Sequence, residues 1–262
     1  MINMGDTMKE AIDRFFNNTG WDNVAENEKK DKAEWGKLML LDPYKSYFRR
    51  AINDNQFDTD SIEGFDVVVN AVAEQMRYIE SSRWIRQQKT ARCKFKPPEP
   101  PAPGLIFMGQ PGTGKTMLAG IIQQLTGICL YRIQDIAQTY QIKGFEGVRR
   151  EYPAIYYGDV ILDDFGIQEE RKHYGQGGVI EEIIHQRYDL WKKTRKLTII
   201  TTNYVSLHDI DKLGIRGMCN DYSNQTITRI EEMYYPIMFQ GDCKRTPAYI
   251  KFKRYNSQKY QG

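Results

Sequence analysis

The sequence has no apolar run approaching the length of a membrane span, and its first residues lack the apolar core that a secretion signal needs. Its four cysteines, Cys93, Cys129, Cys219 and Cys243, include no Cys-x-x-Cys pair. That spacing fits neither a zinc site nor a disulfide framework and suits a reducing compartment, so a cytoplasmic location is expected. No internal repeat and no long low-complexity tract is present. The net charge of +3 is too small to imply a nucleic-acid partner by itself, so any basic surface must be argued locally. What is there is ordinary: 262 residues, 40% hydrophobic and 27% charged, enough for one large domain or a core domain with a small one.

Against this plain background one stretch stands out. Gly109-Gln110-Pro111-Gly112-Thr113-Gly114-Lys115-Thr116 matches G-x-x-x-x-G-K-[ST]. The apolar run Leu105–Met108 before it reads as a buried strand, and Met117 to Ile122 after it as the opening of a helix. In that setting the glycines let successive backbone N–H groups converge on phosphate oxygens, and the helix N-terminus adds partial positive charge. ATP and Mg²⁺ are the expected ligands. Gly109, Pro111, Gly112, Thr113, Gly114, Lys115, Thr116 and Met117 form the nucleotide-binding set. Lys115 reaches the β and γ phosphates, and the Thr116 hydroxyl holds the metal. The sequence has no Asn-Lys-x-Asp to read guanine.

The first hundred residues read as helical. Met8, Ile12, Phe15 and Phe16 share one face; Trp35, Leu38 and Met39 mark a second helix; Tyr44, Tyr47, Phe48 and Ile52 mark a third, which Pro43 starts. Ile62, Phe65, Val69, Val72, Met76 and Ile79 form a longer stripe, read as a core-facing helix in preference to a coiled-coil seam. A basic stretch from Arg83 to Lys96 suits a solvated helix face or a phosphate contact. Pro97 to Gly104 then stops any helix and makes a stiff connector. The expected organisation is a helical partner-binding domain over 1–96, a linker over 97–104 and an ATPase domain over 105–262. In the last part strands at 128–131, 160–162, 197–201 and 236–239 alternate with helices at 134–141, 179–192, 207–213 and 224–233. A further helix is compatible with the run from Glu146. This alternation predicts an α/β fold with a mainly parallel sheet.

Ligands in such sheets sit at the carboxyl ends of strands, where the loop, Asp163-Asp164 and Asn203 all fall. Asp163 is expected to hold Mg²⁺ with Thr116. Asp164 is placed to polarise the attacking water, and its short side chain predicts slow hydrolysis. The Asp-Asp-Phe-Gly stretch also fits a plain turn or helix cap, and Asn203 also fits turn chemistry.

The loop, the Ile161-Leu162-Asp163-Asp164-Phe165-Gly166 block and Thr201-Thr202-Asn203 together resemble the DnaC/IstB-like AAA+ ATPases. The helix from Ile180 to Tyr188, the Ile227-Thr228-Arg229-Ile230 run, and Met238 to Asp242 with Arg245 extend the resemblance from about Gly104 to Arg245. The family contains helicase loaders and transposition helpers. The resemblance implies an AAA+ P-loop NTPase sheet with the loop strand central, and makes Asn203 the sensor. It also makes Arg229 an arginine finger acting on a neighbour's nucleotide, so a homo-oligomer is expected. Arg216 and Arg245 fall where further nucleotide-sensing arginines stand. An ordinary Arg229–Glu232 pair along the helix is the competing reading of Arg229. In loaders the element after the second strand and the loop after the acidic block face single-stranded DNA; here these hold Phe145, Arg149 and Arg150, and Arg171, Lys172, His173 and Tyr174. The implied partner is a replicative hexameric helicase, gripped by the helical N-terminal part. A transposition helper and a small-molecule kinase are the alternatives.

Overall fold

The computed structural model describes residues 34–60, 62, 64–87, 104–166, 178–209 and 217–240. Residues 34–39 are helical. They are followed by α1 (Asp42–Asp54), α2 (Phe65–Gln87), β1 (Gly104–Gly109), α3 (Lys115–Thr126), β2 (Cys129–Arg132) and α4 (Ile133–Glu151). Next come α5 (Ala154–Tyr157), β3 (Val160–Phe165), α6 (Val179–Thr194), β4 (Thr198–Thr202), a 3₁₀ turn (Met218–Asn220), α7 (Asn224–Met233) and β5 (Tyr234–Phe239). Among the described residues, no helix is long and apolar enough to cross a membrane.

The five strands form one parallel sheet in the order β2-β3-β4-β1-β5. Every residue of β1 and β4 is buried, as expected for strands covered on both faces. Alternate residues feed two cores. Leu105, Phe107, Ile161, Ile199 and Ile237 pack with α1, α2 and α3. Ile106, Met108, Leu162 and Ile200 pack with α4, α6 and α7 on the opposite face. Pro236 lies on the edge strand β5, where its missing N–H disturbs no inner ladder.

The apolar stripe of the N-terminal half lies on α2, where Val69, Val72 and Met76 are buried against the sheet with Val68 and Ala73. Ile62 precedes that helix and forms an antiparallel bridge with Phe239. Tyr44, Phe48 and Ile52 of α1 join the same core. Thus α1 and α2, on the N-terminal side of the expected 97–104 linker, share one core with the sheet. That linker, apart from Gly104, lies outside the described residues, as does the expected first helix. The short helix expected at 134–141 runs on to Glu151, broken at Gly144 by φ 62° and ψ −166°, so the run from Glu146 is indeed helical. Residues 207–209 are not helical, and 210–213 lie outside the described residues.

Arg187 of α6 is fully buried, the largest side chain to be so among the described residues. Its Nε donates to Thr198 Oγ1 at 2.9 Å. Nη1 donates to the carbonyls of Ala154, Ile155 and Gly158 at 3.2, 3.0 and 2.8 Å, and Nη2 to that of Leu197 at 2.8 Å. Ala154, Ile155 and Gly158 belong to α5 and its end, where helical geometry leaves carbonyls short of partners; of the three, that of Ala154 also accepts the Gly158 N–H. A guanidinium, with five N–H donors in a fixed fork, ties them to α6 and β4 at once. Burial pulls its pKa below the usual arginine value, and Tyr234 and Asp159 act the other way.

Replacing it with methionine keeps apolar volume but removes the charged donors from four carbonyls and a hydroxyl, leaving those of Ile155 and Gly158 without the donor that ties them to α6. Arg187→Met is expected to cost about 3–5 kcal/mol and to lower the thermal midpoint by roughly 10 °C. A midpoint within about 2 °C of the parent in calorimetry would remove this role.

Candidate active site

β1 ends at Gly109, whose φ of 139° and close approach to β5 both require glycine: a Cβ there would lie 2.3 Å from the Phe239 carbonyl oxygen. The loop returns through Gly112 and Gly114, with φ of 85° and 105°, into α3. No side chain caps α3, so its first-turn N–H groups remain open to an anion. Thr113 Oγ1 donates to the Gln110 carbonyl at 2.9 Å. Lys115 is buried and donates from Nζ to the carbonyls of Gly109 and Gln110 at 2.7 and 2.8 Å. The lysine thus holds the loop in the shape that receives phosphate, whose charged oxygens are stronger acceptors than these carbonyls.

The acidic block lies one strand away from β4 and two from β1, because β4 is inserted between β1 and β3. Asp163 is 1% exposed. Its Oδ1 accepts hydrogen bonds from Thr116 Oγ1 at 3.0 Å and Thr201 Oγ1 at 2.6 Å, while its Oδ2 is buried with no hydrogen-bond partner. An orphaned carboxylate oxygen beside a threonine hydroxyl is a hard-oxygen donor set, which suits Mg²⁺. The registers Leu162↔Ile200 and Phe165↔Thr202 set two residues of β3 against one of β4, a β-bulge at Asp163-Asp164. Asp164 has φ 60°, and its N–H donates to Thr201 Oγ1 at 2.9 Å. The bulge separates the two acids: Asp163 stays beneath the loop while Asp164 lines the cavity beside Asn203.

That cavity has a volume of about 430 Å³. Of the expected nucleotide-binding residues, Gly112, Thr113, Gly114, Lys115, Thr116 and Met117 line it. Gly109 and Pro111 do not, Gly109 acting instead through its carbonyl to Lys115. Gln56, Phe57 and Asp58, between α1 and α2, complete the wall. Sequence reasoning missed these three, since they follow the last residue of a helix and carry no phosphate-binding pattern. Phe57 packs so closely over the loop that a Cβ on Gly114 would come 3.1 Å from its ring. It supplies an apolar surface next to the phosphate cradle, as a nucleotide base needs.

Arg229 of α7 does not line this cavity. It is half-buried, its guanidinium 5.1 Å from the Tyr188 ring centroid. The competing Arg229–Glu232 pair is not formed: Glu232 bonds Lys192 and Tyr188 instead. Phe145, 41% exposed, follows the break at Gly144 and meets Tyr140 edge-on at 4.7 Å. Arg149 is exposed and lies over the Tyr156 ring at 5.2 Å, and Arg150 is exposed. Arg171, Lys172, His173, Tyr174, Arg216 and Arg245 lie outside the described residues.

No family model matches the sequence, and no curated protein matches it. Among solved structures, the chain is similar to the DnaC helicase loader at 23% identity and a TM-score of 0.40, over 61% of this chain and 90% of that one. It is similar to DnaI at 19% identity and a TM-score of 0.40, over 63% of this chain and 84% of that one. For AMPPCP-bound DnaA from Aquifex aeolicus the values are 16% identity and a TM-score of 0.34, over 59% and 46%. The strand order observed here, with β4 between the loop strand and the acidic strand, makes the fold that of a P-loop NTPase with a strand inserted between its two phosphate-site strands.

Proposed function

We propose that this chain is an ATP-dependent switch that binds single-stranded DNA and loads a replicative hexameric helicase. The observation that carries the nucleotide part is Asp163, buried behind Thr116 with one carboxylate oxygen engaged and the other unpartnered. The helicase part rests on the motif resemblance from Gly104 to Arg245. In this reading the open N–H groups of Gly112 to Met117 cradle the phosphates, and Lys115 exchanges its loop carbonyls for β and γ oxygens. Thr116 and Asp163 hold Mg²⁺, whose chemistry there is to neutralise charge on the phosphates. Asp164 takes the proton of the attacking water, and Asn203 turns its amide to the γ-phosphate. Arg229 adds positive charge from a neighbouring subunit, which makes the active form a homo-oligomer. Arg245 contributes a further contact to the nucleotide. With a short carboxylate as base, turnover is slow.

The DNA face consists of Phe145, Arg149 and Arg150 with Arg171, Lys172 and Tyr174, a mixture that stacks on bases and neutralises phosphates. The region up to residue 96 carries the helicase contact, and the protein works in the cytoplasm. Because α1 and α2 share the sheet's core, the full chain is the right species to test.

ATP turnover is expected in wild type and is expected to vanish in Asp163→Asn and on magnesium chelation. Nucleotide binding is expected to weaken about a hundredfold in Lys115→Ala. Wild-type turnover no faster than that of Lys115→Ala would show that hydrolysis does not power the switch. Phosphate appearing on a metabolite instead of in water would make the chain a kinase.

Immobilised full-length protein with ATP is expected to retain its hexameric helicase and to prefer single-stranded over double-stranded DNA at one fixed salt concentration. Preference for double strands, with no helicase retained in any nucleotide state, would favour a transposition helper.

A further inference from the structure

We propose that Tyr188 is a positioning residue that holds Arg229 in readiness for a second copy's nucleotide, an inference that rests on the trans-acting role given to Arg229 above. α6 and α7 pack side by side, and the Arg229 guanidinium lies over the Tyr188 ring at 5.1 Å. The ring is tethered at both ends. Its backbone belongs to α6, and its hydroxyl donates to Glu232 Oε2 on α7 at 2.6 Å. Glu232 Oε1 in turn takes the Lys192 ammonium, which itself sits 5.1 Å from the same ring. A hydroxyl that donates to a carboxylate feeds electron density into its ring, which strengthens the attraction for a cation over the face.

Glu232 is three residues after Arg229 on α7, the spacing at which an arginine and a glutamate ordinarily pair. Here both oxygens of that carboxylate are already engaged by Tyr188 and Lys192. Among the described residues Arg229 makes no ion pair with a carboxylate. His185, one turn before Tyr188, is near it instead, with its Nε2 3.1 Å from Thr226 Oγ1. Burial and then the Arg229 charge keep His185 below its usual pKa, while Glu181, Glu182 and Asp189 act the other way.

The consequence is an arginine that is directed without being neutralised. A salt bridge would have to break before phosphate could take its place. A ring offers a guanidinium no charged acceptor, so the contact directs the side chain without an ion pair that phosphate would have to displace. An arginine loose on a helix surface must instead be frozen at the moment of encounter, which costs rotamer entropy. Tyr188 meets that cost within the folded subunit, before the neighbour arrives.

Mixed assemblies separate this role from the finger role itself. The donor subunit carries Asp163→Asn, which keeps an amide oxygen for the two threonine hydroxyls but loses the charge that holds magnesium. The acceptor subunit carries Arg229→Ala. Each is expected to be inactive alone, and ATP turnover is expected to return on mixing. Tyr188→Leu in the donor is then expected to lower kcat about tenfold with KM little changed, and Tyr188→Phe, which keeps the ring, only about twofold. The same Tyr188→Leu change in the acceptor is expected to leave turnover of the mixture unaltered, which also shows that the variant folds. If mixing restores nothing, the trans-acting finger is wrong and this inference falls with it. If mixing restores turnover but the donor tolerates Tyr188→Leu, Tyr188 alone loses its role. Equal losses from donor and acceptor would make Tyr188 a structural residue and likewise overturn the proposal.

Discussion

One hydroxyl holds the acidic half of the site together. Thr201 Oγ1 donates to Asp163 Oδ1 and accepts from the Asp164 N–H, so a single buried side chain fixes both ends of the bulge. Without that bridge, two consecutive residues of a regular strand would point to opposite faces of the sheet. With it, one carboxylate stays under the glycine loop and the other turns into the cavity. The residues after Thr201 continue the same work. Thr202 Oγ1 donates to the Phe165 carbonyl at 2.8 Å, Asn203 lines the cavity, and the Tyr204 carbonyl accepts the Gly109 N–H at 2.9 Å. Four consecutive residues of one strand end thereby join the acidic strand to the loop strand. Gly166 has to be glycine for the same reason: with φ of 94° it lets the Tyr204 ring pass where a Cβ would lie 2.3 Å away.

The two sides of the sheet are not equivalent in consequence. On one, α4, α6 and α7 carry the groups that face a neighbour or a polymer in the proposed assembly. On the other, α1 and α2 bury Phe48, Ile52, Val69 and Met76 against β1, and the segment between those helices supplies Phe57 to the nucleotide cavity. The cavity wall and the N-terminal helices are therefore continuous packed material. Close-packed interiors transmit displacement instead of absorbing it. A partner held by the N-terminal region would be coupled to the nucleotide through contacts of this kind, with no need for a flexible relay.

Much of this was legible in the sequence, and the exceptions have physical causes. The strand at 104–109 could be read because a strand covered on both faces is uniformly apolar and a glycine loop follows it. The helix Asn224–Met233 could be read because Ser223 caps it, accepting from the Thr226 N–H. The resemblance implied a sheet with the loop strand central, and this needs correcting: β4 is the middle strand and β1 lies next to the edge strand β5, an order that no local signal in the sequence carries. The bulge at Asp163-Asp164 could not be read, since it depends on the hydroxyl of Thr201 on another strand. The Phe57 wall was invisible for a similar reason: its role is set by which helix packs beside the loop. Nor does the linker-like proline run reveal that helices before it share a core with strands after it, because composition reports local chain stiffness and not tertiary contact.

Adjacent residues of α6 show how far local pattern can go in assigning charge. Arg187 and Tyr188 differ by one position, which on a helix is about 100° of rotation. Arg187 turns toward β4 and spends its whole fork on carbonyls and a threonine hydroxyl, where nothing from outside can reach it. Tyr188 turns toward α7 and meets Arg229, which among the described residues makes no ion pair with a carboxylate. In the sequence both arginines sit on amphipathic helices near acidic residues, and nothing in their immediate neighbours distinguishes them. What separates them is the partner's chemistry. Carbonyl dipoles can take up every donor of a guanidinium, as they do with a hydroxyl at Arg187, whereas an aromatic ring offers a cation attraction without a charged acceptor. By that criterion Arg229, and not Arg187, is the arginine that the proposed trans-acting role can use.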